Sequence, residues 1–144
     1  MQKENYNTMS YQLAKPKPRH LIIGEIGEEL AANWLVKQGF RIWHRNWRSK
    51  YGYELDIVAF KDNKIHVVEV KTRTDDTFQE PSMALTNYKL RKVLIGAGIY
   101  KRYHRLDFDI VLDGIAILYH DEEHYELKYF PDLGYQLRTT KFYS

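Results

Sequence analysis

The sequence contains no cysteine among its 144 residues. That excludes a disulfide framework, a Cys-based zinc site and a thiol nucleophile, and it suits a reducing compartment. Long hydrophobic runs are missing as well. No uncharged apolar stretch approaches the roughly 18 residues of a membrane span. The opening residues, MQKENYNTMSYQLAKPKPRH, show neither an apolar h-region nor a small-residue cleavage site, so they do not read as a secretory signal. The expectation is a cytoplasmic protein with no membrane partner. Charge of one sign is scarce too: 22 Lys and Arg against 19 Asp and Glu leave +3, a mild bias toward polyanions that decides little alone.

What is present is apolar and aromatic. Hydrophobic residues make up 44% of the chain and aromatic residues 15%, with 12 Tyr, 6 Phe and 3 Trp, which is enough to build a core. The length suits a single domain on the rough scale of about 100 to 200 residues each. Residues 1–19 are polar and end in Lys15-Pro16-Lys17-Pro18-Arg19, which predicts a flexible basic arm. Residues 20–144 then form one domain, without internal repeats.

Ile23, Ile26, Leu30, Trp34 and Leu35 recur at helical steps and Gly39 follows as a stop, predicting a first helix from Leu21. Phe40 to Arg48, Tyr53 to Phe60 and Lys64 to Arg73 read as three strands separated by turn formers. Thr86 is a candidate N-cap for a second helix reaching about Tyr103, with Leu90, Val93, Leu94 and Ala97 as its apolar stripe. Phe108 to Leu112, Ile115 to Tyr119 and His124 to Phe130 close the chain as strands, broken by an Asp113-Gly114 turn and by Asp121 to Glu123. The predicted order is αβββαβββ.

The chemistry is sought in the middle hairpin. With Asp62-Asn63 as a two-residue turn, Lys61 faces Lys64, Asp56 faces Glu69 and Glu54 faces Lys71, and strand alternation puts these acids and Lys71 on one face. Two opposed carboxylates repel unless something positive lies between them. A hard cation such as Mg²⁺ or Mn²⁺ would serve, with Asp56 and Glu69 as oxygen ligands. Lys71 could then orient a metal-bound water or stabilise charge on a phosphate, a phosphodiesterase layout. A salt-bridged sheet in which Lys71 serves both acids accounts for the same residues, and physics alone leaves the two readings open.

Spacing cannot choose between this set and a second one. Asp113, Glu126 and Lys128 repeat the intervals of Asp56, Glu69 and Lys71, and chance supplies about one Glu-x-Lys in such a chain. Context favours the first set, because its acids lie among apolar neighbours inside strands, whereas Asp113 is read in a turn. Glu28 is a third candidate acid, since Gly24 and Gly27 within one helix point to close packing there; alone, it reads more readily as a solvated helix Glu. Arg41 to Arg48 interleaves cations with Trp43 and Trp47, as surfaces that track a phosphate backbone do, although at least one Trp is expected in the core. The six His show no close ligand spacing, which disfavours zinc.

Taken in order, Gly24-x-x-Gly27-Glu28-x-x-Ala31, Trp34-Leu35, Gly39-Phe40, Arg45-Asn46, Glu54-Leu55-Asp56 and Val68-Glu69-Val70-Lys71-x-Arg73 closely resemble the YraN-like UPF0102 family of small bacterial proteins, with Lys89 matching a lysine of the second helix. The resemblance covers about residues 21 to 113. It implies an α/β, restriction-endonuclease-like αβββαβ core of the PD-(D/E)xK superfamily, a central mixed β-sheet flanked by helices with a C-terminal β-hairpin. It also implies kinship with archaeal Holliday-junction resolvases, which brings a homodimer into view. By that resemblance Glu28, Asp56, Glu69 and Lys71 form one catalytic site. Asp56, Glu69, the Val70 carbonyl and Glu28 would hold Mg²⁺ or Mn²⁺, and Arg45, Arg48, Arg73 and Lys89 would contact nucleic acid, DNA in preference to RNA. The implied activity is metal-dependent endonucleolytic hydrolysis, of branched or junction DNA among other targets. A non-catalytic nucleic-acid-binding module and a protein-interaction domain are the alternatives. The chain departs from the family pattern at Tyr53, where a Gly is usual, and at Asp107, where an Arg is.

Overall fold

The computed structural model describes residues 15–74, 83 and 85–134. Helix α1 (Arg19–Lys37) leads into strands β1 (Arg41–Arg48), β2 (Glu54–Lys61) and β3 (Lys64–Arg73), and α2 (Asn87–Tyr103) precedes β4 (Asp109–Tyr119) and β5 (Tyr125–Phe130). The five strands form one mixed sheet in chain order, with β3 and β4 parallel and every other pair antiparallel. This is the expected α/β architecture. Most of the predicted basic arm, residues 1–14, lies outside the described residues. Within its described part Lys17 pairs with Glu25 of α1 at 2.8 Å. Among the described residues no helix is long and apolar enough to cross a membrane.

Local chemistry explains the hairpin. Asp62 and Asn63 both adopt positive φ, 51° and 59°, the conformation a tight two-residue turn between twisted strands needs and one that short polar residues tolerate. The turn sets Lys61 opposite Lys64, and the ladder continues from there to Ile57 opposite Val68, in the predicted register.

Each face of the sheet carries one helix. Ala31, Ala32 and Leu35 of α1 pack with Ile57, Ala59, Val68, Ile115 and Ile117, whereas Leu90, Val93, Ala97 and Tyr100 of α2 pack with Val58, Ile65, Val67 and Leu112. The larger apolar residues of α1, Leu30 and Trp34 among them, are only half-buried beside a closer seam of Gly27, Ala31, Ala32 and Leu35. Small side chains there bring the helix backbone near the strands. On α2 the predicted stripe shifts: Leu94 is exposed, and Gly96 instead faces Leu55 and Tyr53. Thr86 caps α2 as expected, its hydroxyl accepting from Lys89 N at 3.1 Å.

One prediction fails. Asp113-Gly114 is not a turn, because β4 runs unbroken from Asp109 to Tyr119 and only two strands follow α2. Asp113 is fully buried, and its carboxylate accepts from His66 Nδ1 (2.6 Å), Tyr129 OH (2.8 Å) and the Asp132 amide (2.9 Å). Those donors make a carboxylate tolerable inside a central strand. Gly114 leaves room for Met83 and Leu133, which a Cβ would meet at 2.8 and 3.1 Å. The expected separation of Asp113 from Glu126 does hold, for Glu126 lies opposite Leu118.

Candidate functional site

The acidic pair occupies the place where the β2–β3 ladder gives out. Beyond Ile57 and Val68 no further β2–β3 backbone pair is formed. Alternation along β2 also slips there: Leu55 and Val58 both join the α2-side core, while Ile57 and Ala59 join the α1 side. The Asp56 side chain fills the gap. Its Oδ2 accepts the Val70 amide at 2.9 Å, taking the part a strand carbonyl would play. Asp56 and Glu69 therefore meet where two strands part, and not across an unbroken ladder as alternation alone would place them.

Glu69 is 4% exposed, and its Oε1 is a buried oxygen with no hydrogen-bond partner among the described residues. Burial, then the negative charge of Asp56, then a shared side-chain hydrogen bond with Asp56 push its carboxyl up to about 9. The charge of Lys89 and a hydrogen bond from the Asp56 backbone act the other way. At neutral pH the pair thus holds a proton between two acids. A divalent cation could replace that proton and give the orphaned oxygen a partner, so the donor set suits a hard, oxygen-seeking ion.

Glu28 sits on α1, immediately after Gly27, and its pKa is raised by burial first and by Asp56 second. A side-chain hydrogen bond from Asn46 and the charge of Arg45 oppose this rise. Glu28 is close enough to feel Asp56. However, no three His, Asp or Glu side chains gather into a ready metal cluster among the described residues. The arrangement offers two carboxylates at its centre with Glu28 beside them, leaving further coordination to water, backbone or phosphate oxygen. Lys71 follows on β3, half-buried, and burial followed by the neighbouring charge of Arg73 lowers its pKa. A less firmly protonated amine is better suited to exchanging a proton with water. The predicted partner of Lys71, Glu54, is engaged by Arg48 of β1 at 2.5 Å.

Of the four proposed phosphate contacts, Lys89 acts on Glu69, Arg45 on Glu28 and Arg73 on Lys71 through their charges. Arg45 binds Glu29 at 2.6 Å and Arg48 binds Glu54, so a phosphate would have to compete with a carboxylate at each. Arg73 is exposed at the end of β3, and Lys89 is exposed in the first turn of α2. Of the two tryptophans, Trp43 stacks on Phe60 at 4.6 Å as core, whereas Trp47 is half-buried with its ring edge-on to Tyr100.

Sequence reasoning missed Asn46. It adopts positive φ (51°) inside β1 and holds Glu28 through its side chain. An Asn within a run of strand-forming residues was the available signal, since Asn adopts this left-handed conformation more readily than most residues.

Comparison with known proteins gives one consistent result. A family model described as "Uncharacterised protein family UPF0102" matches residues 27–112. A UPF0102 protein of Bacteroides fragilis is 38% identical over 99 residues, covering 69% of this chain and 81% of its own. One of Parabacteroides distasonis is 38% identical over 96 residues (67% and 78%), and one of Syntrophomonas wolfei is 42% identical over 100 residues (69% and 86%). The matched span contains Glu28, Asp56, Glu69 and Lys71.

Proposed function

The chain belongs to the UPF0102 family, and from that premise we propose that it is a divalent-metal-dependent nuclease hydrolysing phosphodiester bonds in DNA. The observation that carries the reading is the buried Oε1 of Glu69, without a hydrogen-bond partner among the described residues, beside the Asp56 carboxylate, with Lys71 two residues on. Buried polar atoms are seldom left unsatisfied without a role.

Asp56 and Glu69 would hold Mg²⁺ or Mn²⁺, together with the Val70 carbonyl. The bound ion would supply Lewis-acid polarisation of the phosphate and a more acidic water. This chain's own residues do the rest. The Val70 amide fixes the Asp56 carboxylate from below. Lys71, its amine held less basic by burial, positions and deprotonates the attacking water. Glu28, steadied by Asn46, orients water at the α1 edge of the site.

A second reading has its own support. Because Asp56 and Glu69 can share a proton, the pair persists without an ion, as a nucleic-acid-binding module that does not cut would require. Incubation of junction, flap and single-stranded DNA with Mn²⁺ or Mg²⁺ separates the two. The nuclease cuts at least one substrate, and Lys71→Ala abolishes cutting while the circular dichroism spectrum is unchanged. Intact substrates throughout, with salt-sensitive retention, establish the binding module instead.

A further inference from the structure

A cavity of about 690 Å³ lies where the β1–β2 connection meets the C-terminal end of α2. Trp47 and Ile99, both half-buried, form its floor, and Arg48, Lys50, Tyr51, Arg102 and Tyr103 form its rim. Three features set it apart from an ordinary surface cleft.

The first is its chemistry. Among the described residues, three cations and three aromatic rings line the cavity and no acid does; Glu54, outside the lining, pairs with Arg48. Tyr51 and Tyr103 are 68% and 76% exposed, although large rings usually seek cover. Aromatic faces interleaved with cations match a base and its phosphate: every base has a face to stack, and the backbone needs only positive charge.

The second is its rigidity. The buried Ser49 hydroxyl accepts the amides of Tyr51 (3.2 Å) and Tyr53 (3.1 Å), the Ser49 amide donates to the Tyr53 carbonyl at 2.8 Å, and Gly52 takes φ 88° to close the loop. Lys50 Nζ stands 5.1 Å over the Tyr51 ring. On the other wall, Tyr103 meets the His104 ring edge-on at 5.0 Å, and His104 caps α2 with its Nδ1–H donating to the Tyr100 carbonyl at 3.0 Å. Tyr100 also supports Trp47 from beneath, itself held by His44 Nδ1 at 2.6 Å. The backbone that carries Tyr51 and the ring of Trp47 are held by these contacts, which lowers the ordering cost of binding.

The third is its place. Trp47 lies opposite Leu55, the residue before Asp56, and next to Asn46, which holds Glu28. Cavity and carboxylates therefore occupy the same end of the sheet, away from the Asp62-Asn63 turn.

We propose that this cavity is a stacking site for an unpaired nucleotide of a nucleic acid chain, with Tyr51, Tyr103 and Trp47 as base platforms and Arg102 and Lys50 on the adjoining phosphates. The proposal rests on the reading that the protein meets nucleic acid, and it makes that substrate single-stranded at this position, as at a flap or a splayed junction arm. A paired base has both faces occupied and its edge engaged, so a duplex cannot offer a ring here without fraying.

Fluorescence anisotropy with a labelled ten-nucleotide oligothymidylate, in EDTA so that nothing is cut, tests it on the full chain. Tyr51→Ala with Tyr103→Ala weakens binding tenfold or more, and Tyr51→Phe with Tyr103→Phe leaves it within twofold, since the ring and not the hydroxyl stacks. Arg102→Ala weakens binding and flattens its salt dependence by about one counterion. Both tyrosines are exposed, so these variants keep the fold. Binding that ignores the double alanine variant overturns the proposal. So does a poly-glutamate peptide or a blunt duplex of equal length that binds as tightly and loses as much in that variant. Because the readout needs no cleavage, an inert Lys71 with intact tyrosine dependence would sink the nuclease reading and leave this site standing. Cleavage without tyrosine dependence would do the reverse.

Discussion

The Glu69 carboxyl rests against that of Asp56 in a setting only 4% exposed, with one of its oxygens unpartnered among the described residues. Two acids this close cannot both ionise cheaply in a dry site, so between them they keep a proton well past the usual carboxylate range.

That proton makes the fold pH-sensitive in a definite direction. The folded Glu69 titrates near 9 against an ordinary value of 4.5, so between those values the native chain holds a proton that the unfolded chain has released. The contribution of Glu69 to stability is complete below about pH 4.5 and is lost progressively as pH rises toward about 9. In EDTA, the Tm of Glu69→Gln should therefore gain steadily on the wild type across this window. A difference between the two that stays constant with pH would refute the assignment.

Asp56→Asn separates repulsion from metal binding. An Asn can still accept the Val70 amide through its Oδ1 while its amide donates to Glu69, replacing a hydrogen bond that requires a retained proton with one that does not. The variant should melt higher than the wild type in EDTA at pH 8. It should also lose most of the Tm increase that added Mn²⁺ gives, because a neutral amide is a poorer ligand for a divalent ion. An equal response to Mn²⁺ in both proteins would remove Asp56 from the site.

These residues show which parts of the site the sequence carries openly. The Asp62-Asn63 turn sets the hairpin register locally, so the neighbourhood of Asp56 and Glu69 follows from counting. Counting does not reveal that the ladder ends at Ile57, because that depends on the Asp56 side chain taking the Val70 amide. The same limit explains Asp113-Gly114: local turn chemistry is overridden by His66, Tyr129 and Asp132, which approach from 47, 16 and 19 residues away. Helix α1 is legible from its periodicity. Which of its faces lies closest to the strands is set by small residues, whose contribution is the space they leave.

Asp113 provides a structural counterpart to the acidic pair. Removing its carboxylate leaves a His, a Tyr hydroxyl and a backbone amide without their acceptor in the core. Asp113→Ala should cost about 3–5 kcal/mol, the scale for breaking a buried charged network from one side. Asp113→Asn retains the shape and one acceptor oxygen, so it should cost less. Urea denaturation measures both, and a loss below about 1 kcal/mol for Asp113→Ala would mean that the network contributes little net stability.

The two glycines of α1 should respond to alanine with opposite signs. At Gly27 a Cβ would lie 1.8 Å from Thr72 Oγ1 and 2.8 Å from Thr72 Cβ, so no rotation of the Thr side chain clears it and the helix must move off β3. Overpacking of this kind costs about 1–3 kcal/mol, and the gain of up to about 1 kcal/mol in helix propensity offsets it only in part. Displacement of α1 also carries Glu28 away from Asp56, so Gly27→Ala should lose both stability and cutting rate. At Gly24 nothing lies within 4 Å of the added carbon, and the propensity gain stands alone. Gly24→Ala should therefore be up to about 1 kcal/mol more stable, with unchanged activity. If both variants shift stability in the same direction, the close approach at Thr72 is not what places Glu28.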